Sequence, residues 1–307
     1  MNRRPPRHGK PPQESWELLD VATLRQSVLM VSVLDEIDVR PCDDGVVLEA
    51  TMAIGWSNDL LVPWWRIGQT LGASAVDPTG AAARARLSTW LRLARAVGDL
   101  PVGTLRDHLR PMGLPHDHAL HPGSAWIHNS VEGGALDLGF GLAGVEADPD
   151  AITIAPPGLL EATGLDLRAM WPHAHRYLER MGAIAAIRQE RDPQTPLRPM
   201  GDCDVLTLLG STVLRSALAS DRGVGMRAAA IPMRRRGWVD PSHLDAAFAL
   251  GAAAATDPSE RGFTRPVLIT VDGVWEAQEG IDLVEFALRD AVGAGLWVRE
   301  MRFGSTG

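Results

Sequence analysis

At 307 residues, with 45% hydrophobic and 22% charged side chains, the chain has the make-up of a globular protein large enough for one large domain or two ordinary ones. Its net charge of −8 weighs against a nucleic-acid binder, which needs clustered cations to neutralise phosphates. Cys42 and Cys203 stand far apart and outside any CxxC pair, which argues against a disulfide scaffold and against a zinc ribbon.

Lys10 is the only lysine, and it lies in a proline-rich tail. A P-loop needs a lysine for nucleotide phosphates, a pyridoxal enzyme needs one for its Schiff base, and a protein kinase needs one on its third strand. Lys10 suits none of these. The cofactor expectation is therefore no pyridoxal phosphate and no P-loop nucleotide, with a divalent metal left open. The basic residues near the start lead into prolines rather than an apolar segment, unlike a signal peptide. The longest apolar stretch, 246–255, is half the ~20 residues that span a bilayer. These features predict a soluble, cytoplasmic protein with no membrane span.

In chain order, residues 1–14 read as a disordered tail. A short helix is expected over 14–24. Two β-rich runs, 28–34 and 46–52, are separated by Pro41 and the Asp43-Asp44-Gly45 turn, and suggest a hairpin or neighbouring strands. Pro63 is placed to open a helix carrying Trp64, Trp65 and Ile67. Over 80–98, Leu87, Trp90, Leu91, Ala94 and Val97 repeat at helical spacing and predict an amphipathic helix. Residues 100–130 have no sustained period. Short strands are expected at 135–138 and 151–154, then a long helix over 167–188 with Pro172 as a kink or second start. A Pro-rich break at 192–199 marks a domain boundary, giving an N-terminal α+β region over 15–195 and a C-terminal region over 200–307.

After that break the pattern alternates. Strands are expected at 204–209, 224–231, 266–271 and 296–302, with helices at 211–219, 241–255 and 282–292. The reading is an α/β fold: a mixed α+β N-terminal part and a C-terminal part of alternating strand and helix with a parallel or mixed sheet.

The densest set of metal-capable side chains is His116, Asp117, His118 and His121, with His108 and His128 nearby. An HxH pair on extended backbone aims both imidazoles to one side, and a third histidine completes a facial set. His116, His118 and His121 are thus the expected metal ligands, with Asp117 orienting a bound water. The spacing resembles the HxHxDH loop of the metallo-β-lactamase superfamily over about six residues. It departs from that loop at Leu120, where the family has its aspartate, and at Leu114-Pro115, where the family has a buried strand. The same histidines also suit a solvated loop.

A second cluster is expected at the carboxyl rim of the C-terminal sheet. There Ser211 and Thr212 open a helix and Arg234, Arg235 and Asp272 follow strands, a setting for a phosphorylated or carboxylated small molecule. Ser211 serves equally well as a plain helix cap. Gly139, Gly141 and Gly144 spell GxGxxG, but Asp148-Pro149-Asp150 leaves no room for the helix that a dinucleotide site requires, so close packing of a strand fits them better. Ten tryptophans against one tyrosine, with Trp56, Trp64 and Trp65 close together, mark a candidate interface.

With no complete catalytic set in view, the first expectation is a non-catalytic protein-binding or assembly component, with a protein partner or a homo-oligomer. The alternatives are a metal-dependent hydrolase built on His116, His118 and His121, and a binder of anionic small molecules. Composition and spacing leave open whether the chain is an enzyme.

Overall fold

A computed structural model describes residues 19–48, 60–100, 103–118, 121–123, 126–145, 152–220, 225–239 and 260–276. These form two compact units. One comprises residues 1–103, 122–125 and 156–165, and the other 104–121, 126–155 and 166–307. The helix before the Pro-rich stretch and the strands after it both lie in the second unit.

The first unit holds α1 (Val21–Leu34), β1 (Val39–Pro41), β2 (Gly45–Leu48), β3 (Leu60–Pro63), α2 (Trp64–Leu71), α3 (Ala81–Gly98) and, from the later stretch, α5 (Pro157–Ala162). The strand expected over 28–34 is a helix instead. Asp20 caps α1 by accepting from the Thr23 amide, and Leu24, Ser27, Val28 and Val31 are buried at helical spacing. Tertiary burial on that spacing outweighs the β preference of the valines. The hairpin partner of β2 is therefore not residues 28–34 but β1 on one side and β3 on the other, both antiparallel. In α3 the buried stripe is the one expected, with Leu87, Trp90, Leu91, Ala94 and Val97 all inside.

The second unit contains α4 (Leu105–His108), β4 (Leu109–Pro115), β5 (His128–Ser130), β6 (Leu136–Ala143), β7 (Ile152–Ile154), α6 (Leu167–Arg191), α7 (Val205–Leu208), α8 (Thr212–Ser220), β8 (Met226–Met233), β9 (Arg236–Val239), β10 (Val267–Thr270) and β11 (Val274–Glu276). One sheet runs β4-β6-β5 with β7 also on β6, and the other runs β11-β10-β8-β9.

Among the described residues every strand pair in the C-terminal sheet is antiparallel, which corrects the expected parallel or mixed sheet. Two of the three pairs, β8–β9 and β10–β11, are hairpins closed by tight turns at 234–235 and 271–273, which need no crossover helix. The strand expected at 204–209 is helix α7, capped by Asp204, whose side chain accepts from the Thr207 amide at 2.7 Å. A run this short, with four apolar residues in six, carries no period that separates strand from buried helix. Helix α6 runs unbroken through Pro172. The helices expected at 241–255 and 282–292, the strand at 296–302 and the tail at 1–14 lie outside the described residues. Among the described residues no helix is long and apolar enough to cross a membrane.

Candidate metal centre

The site grows out of the period-2 pattern of β6, Leu-Asp-Leu-Gly-Phe-Gly-Leu-Ala. Leu136 and Leu138 belong to the large core formed with α6, α7 and α8. Asp137, Gly139 and Gly141 alternate with them and so face the other side of the sheet. In register on that side, Ser130 stands opposite Asp137, His128 opposite Gly139, Leu114 opposite Asp137 and Met112 opposite Gly139. Met112, Leu114 and Trp126 form a separate apolar cluster there.

The two glycines make room for that cluster. A Cβ on Gly139 would stand 2.3 Å from Trp126 Cε2, and one on Gly141 would stand 2.4 Å from Ile152 Cγ2. The close-packing reading of the GxGxxG run thus has a physical content at these positions. The Trp126 indole donates to the Phe140 carbonyl at 2.8 Å, stacks on His128 at 5.1 Å between centroids and meets His121 edge-on at 5.5 Å. A buried ring therefore backs two imidazoles.

Asp137 is fully buried and is the centre of the arrangement. Its Oδ2 lies 2.8 Å from His116 Nδ1, 3.1 Å from His121 Nε2 and 3.8 Å from His128 Nε2. Its Oδ1 accepts the Ser130 hydroxyl. His128 Nδ1 sits 3.0 Å from the Trp126 carbonyl, which can only accept, so that nitrogen carries the proton. In the neutral ring this leaves the Nε2 lone pair aimed toward Asp137. Burial lowers the pKa of His121, aided by the neighbouring His128 and His116 and opposed by Asp137. For Asp137, burial works against ionisation but is outweighed by the hydrogen bonds from Ser130 and His116 and the nearby imidazoles, and its pKa falls below the usual value. A neutral imidazole and an ionised carboxylate are the forms in which these groups bind metal.

His121, His128 and Asp137 each offer a ligand atom, and these atoms lie within 4.8 Å of one another. Ligands about 2.0–2.2 Å from zinc at tetrahedral corners stand about 3.4 Å apart, a spacing bracketed by the 3.1 and 3.8 Å to Asp137 Oδ2.

Of the expected ligands, only His121 belongs to this set. His116, whose side chain is 65% exposed, hydrogen-bonds the carboxylate, and His118 is buried outside the set. Asp117 is met by the Thr264 hydroxyl at 3.3 Å. Asp137 and Ser130, and the place of His128 beside them, do not stand out from spacing along the chain. Their signal is the Glu132-Gly133-Gly134 turn, with both glycines at positive φ, which folds 128–130 back on 136–143.

The expected anion-site residues are engaged with the chain's own carboxylates. The Glu179 carboxylate from α6 accepts the Ser211 hydroxyl at 2.7 Å, the Thr212 amide at 2.9 Å and the Val213 amide at 3.0 Å, filling the N-terminus of α8. Arg234 pairs with Asp204 and Arg235 with Glu260. Asp272 lies in the turn between β10 and β11 and acts electrostatically on the buried Arg215. Of the interface tryptophans, Trp64 is buried with its indole donating to the Cys42 carbonyl at 3.0 Å, Trp65 is 50% exposed, and Trp56 lies outside the described residues.

Compared with protein-family models, curated proteins and solved structures, the chain gives no significant match to any of the three.

Proposed function

We propose that the protein is a metal-dependent hydrolase whose divalent ion, of the zinc type, is held by His121, His128 and Asp137. One observation carries the reading: a fully buried carboxylate oxygen is ringed by imidazole nitrogens at distances that fit ligands of one small cation. Two nitrogens and one carboxylate oxygen form the donor set used for borderline divalent ions such as zinc, and three protein ligands leave a position for water. A metal there would lower the pKa of that water to about 7 and supply a nucleophile at neutral pH. The chain's own part is to orient: the Trp126 carbonyl fixes the His128 tautomer, and the Trp126 ring shields the imidazoles from water on one side.

The test is elemental analysis of untagged protein, followed by zinc calorimetry on wild type, His121→Ala, His128→Ala and Asp137→Asn. One zinc per chain in the wild type, lost in each variant, supports the reading. Substoichiometric metal and no zinc heat in the wild type overturn it.

A second reading, self-association through the first unit, is favoured by a specific feature of that unit. Trp65 is half exposed and α1 leaves Leu29, Met30, Val33 and Leu34 on the surface, Val33 at 77% and Leu34 at 66%. Large exposed apolar residues gathered on one element are a feature of interfaces. Sedimentation velocity decides it. A concentration-dependent dimer abolished by Val33→Glu with Leu34→Glu supports this reading, and a wild type that stays monomeric at 100-fold dilution steps removes it.

A further inference from the structure

A zinc centre is structural when the protein fills all four positions and catalytic when one is left to water. A carboxylate ligand bears on this through its second oxygen, because two-oxygen binding takes up a further position. In this centre the two oxygens of Asp137 are engaged differently. Oδ2 faces His121 and His128 and also accepts from His116 Nδ1 at 2.8 Å. Oδ1 accepts the Ser130 hydroxyl, and Ser130 is the cross-strand partner of Asp137 in the β5–β6 ladder.

We infer that Ser130 is a positioning residue that holds Asp137 to one-oxygen coordination and thereby keeps a water position open. The inference deepens the metal-centre reading and rests on it. The reasoning is geometric. Asp137 sits in the middle strand of its sheet, paired on both sides by β4 and β5, so its backbone is fixed and only its side-chain torsions can bring Oδ1 toward an ion. The hydroxyl proton of Ser130 holds Oδ1 on the β5 side, and the His116 N–H occupies one lone pair of Oδ2, leaving Oδ2 its other lone pair. Hydrogen-bond partners that orient a ligating carboxylate in this way are a general part of metal sites. Without the hydroxyl, the fully buried Asp137 side chain has an oxygen with no donor from Ser130, and the strongest remaining attraction for it is the cation itself.

The experiment uses the full-length, untagged protein, freed of metal by a chelator and titrated with cobalt(II). The visible absorption of cobalt(II) is intense when four-coordinate and weak at higher coordination. The wild type is expected to take one equivalent with an intense band. Ser130→Ala is expected to take one equivalent while losing about half or more of the band intensity as a fifth ligand enters. Ser130→Thr, which keeps the hydroxyl, is expected to restore it. An unchanged band in Ser130→Ala, or loss of cobalt binding altogether in that variant, overturns the role of Ser130 and leaves the metal reading intact. A wild type that takes up no cobalt overturns the metal reading itself, and this inference with it.

Discussion

Glu179 offers the sharpest test of the fold that carries the centre. Its carboxylate reaches from α6 to the start of α8, where it accepts the Ser211 hydroxyl and the Thr212 and Val213 amides at 2.7, 2.9 and 3.0 Å. Free amides at a helix start favour a negative group twice over, through hydrogen bonds and through the helix dipole. His175 adds a further neighbour at 3.6 Å, and the Glu179 side chain is 21% exposed, so its charge is only partly screened. Losing a cap costs about 0.5–2 kcal/mol and losing a hydrogen bond to a charged group about 1.5–3 kcal/mol, and the terms are not additive. Glu179→Ala should therefore destabilise by about 2–4 kcal/mol, and Glu179→Gln, which keeps acceptors but no charge, by about 1–2 kcal/mol. The pH dependence fixes the mechanism. Burial raises the Glu179 pKa, but the Ser211, Val213 and Thr212 hydrogen bonds outweigh it and the net shift is downward. A depressed folded-state pKa means the stabilisation is fully present above the unfolded value of about 4.3 and is lost as pH falls through the folded value. Urea unfolding of wild type and Glu179→Gln at pH 7, 5, 4 and 3 should show a stability gap that is constant at the first two values and narrows below them. A gap under about 0.5 kcal/mol at neutral pH, or one that does not narrow in acid, refutes the capping role.

Three further outcomes follow from the second unit. Gly113→Ala places a Cβ 2.9 Å from the Thr207 backbone, where β4 meets α7 and the Gly113 amide donates to Thr207 Oγ1, and should cost about 1–3 kcal/mol in thermal unfolding. An unchanged melting temperature would mean α7 is not seated on β4. The Cys203 thiol is pushed up to about 12 by burial and by Asp204 and Asp202, so a thiol reagent at pH 8 should modify at most one cysteine in the folded protein and two in urea; two fast thiols in the folded state would contradict the burial. Gly139→Ala should displace Trp126 and weaken zinc binding about 10–100-fold, the range for lost support around metal ligands, while zinc affinity at the wild-type level would show that Trp126 does not position the imidazoles.

The helices with a sustained stripe could be read from sequence, because five apolar residues at helical spacing over 18 residues leave little alternative, and α3 buries those five. The short apolar runs could not. Residues 28–34 combine valines that favour strands with a spacing that buries one helical face, and only packing decides between them. Alternating strand and helix patterns point to a parallel sheet, but one of those apolar runs is α7, and the two hairpin strands β9 and β11 are only four and three residues long, too short for a pattern to show. Strand β4 was hidden by Pro111, Gly113 and Pro115. It lies at the edge of its sheet, where a missing amide costs least.

The candidate site was half readable for a related reason. Spacing along the chain finds ligands that are neighbours in sequence, and it singled out His116, His118 and His121. Coordination is a matter of neighbours in space, and the carboxylate that gathers the histidines comes from β6, which returns beside β4 and β5 only because 131–135 turn back. The alternation in β6 contains the needed information in a form that a motif search does not weigh: a lone Asp at a position whose flanking partners, Leu136 and Leu138, are core residues, followed on the same face by two glycines. A buried aspartate is costly unless paired, and small residues beside it mean that something large is received there. Here the large group is Trp126, and it carries His128 two residues further on. Asp137, its glycines, Trp126 and His128 are thus one packing solution. The same close fit that seals this face of the sheet sets the distance between the imidazoles and the carboxylate, so a substitution that loosens the packing and one that removes a ligand should damage the same centre.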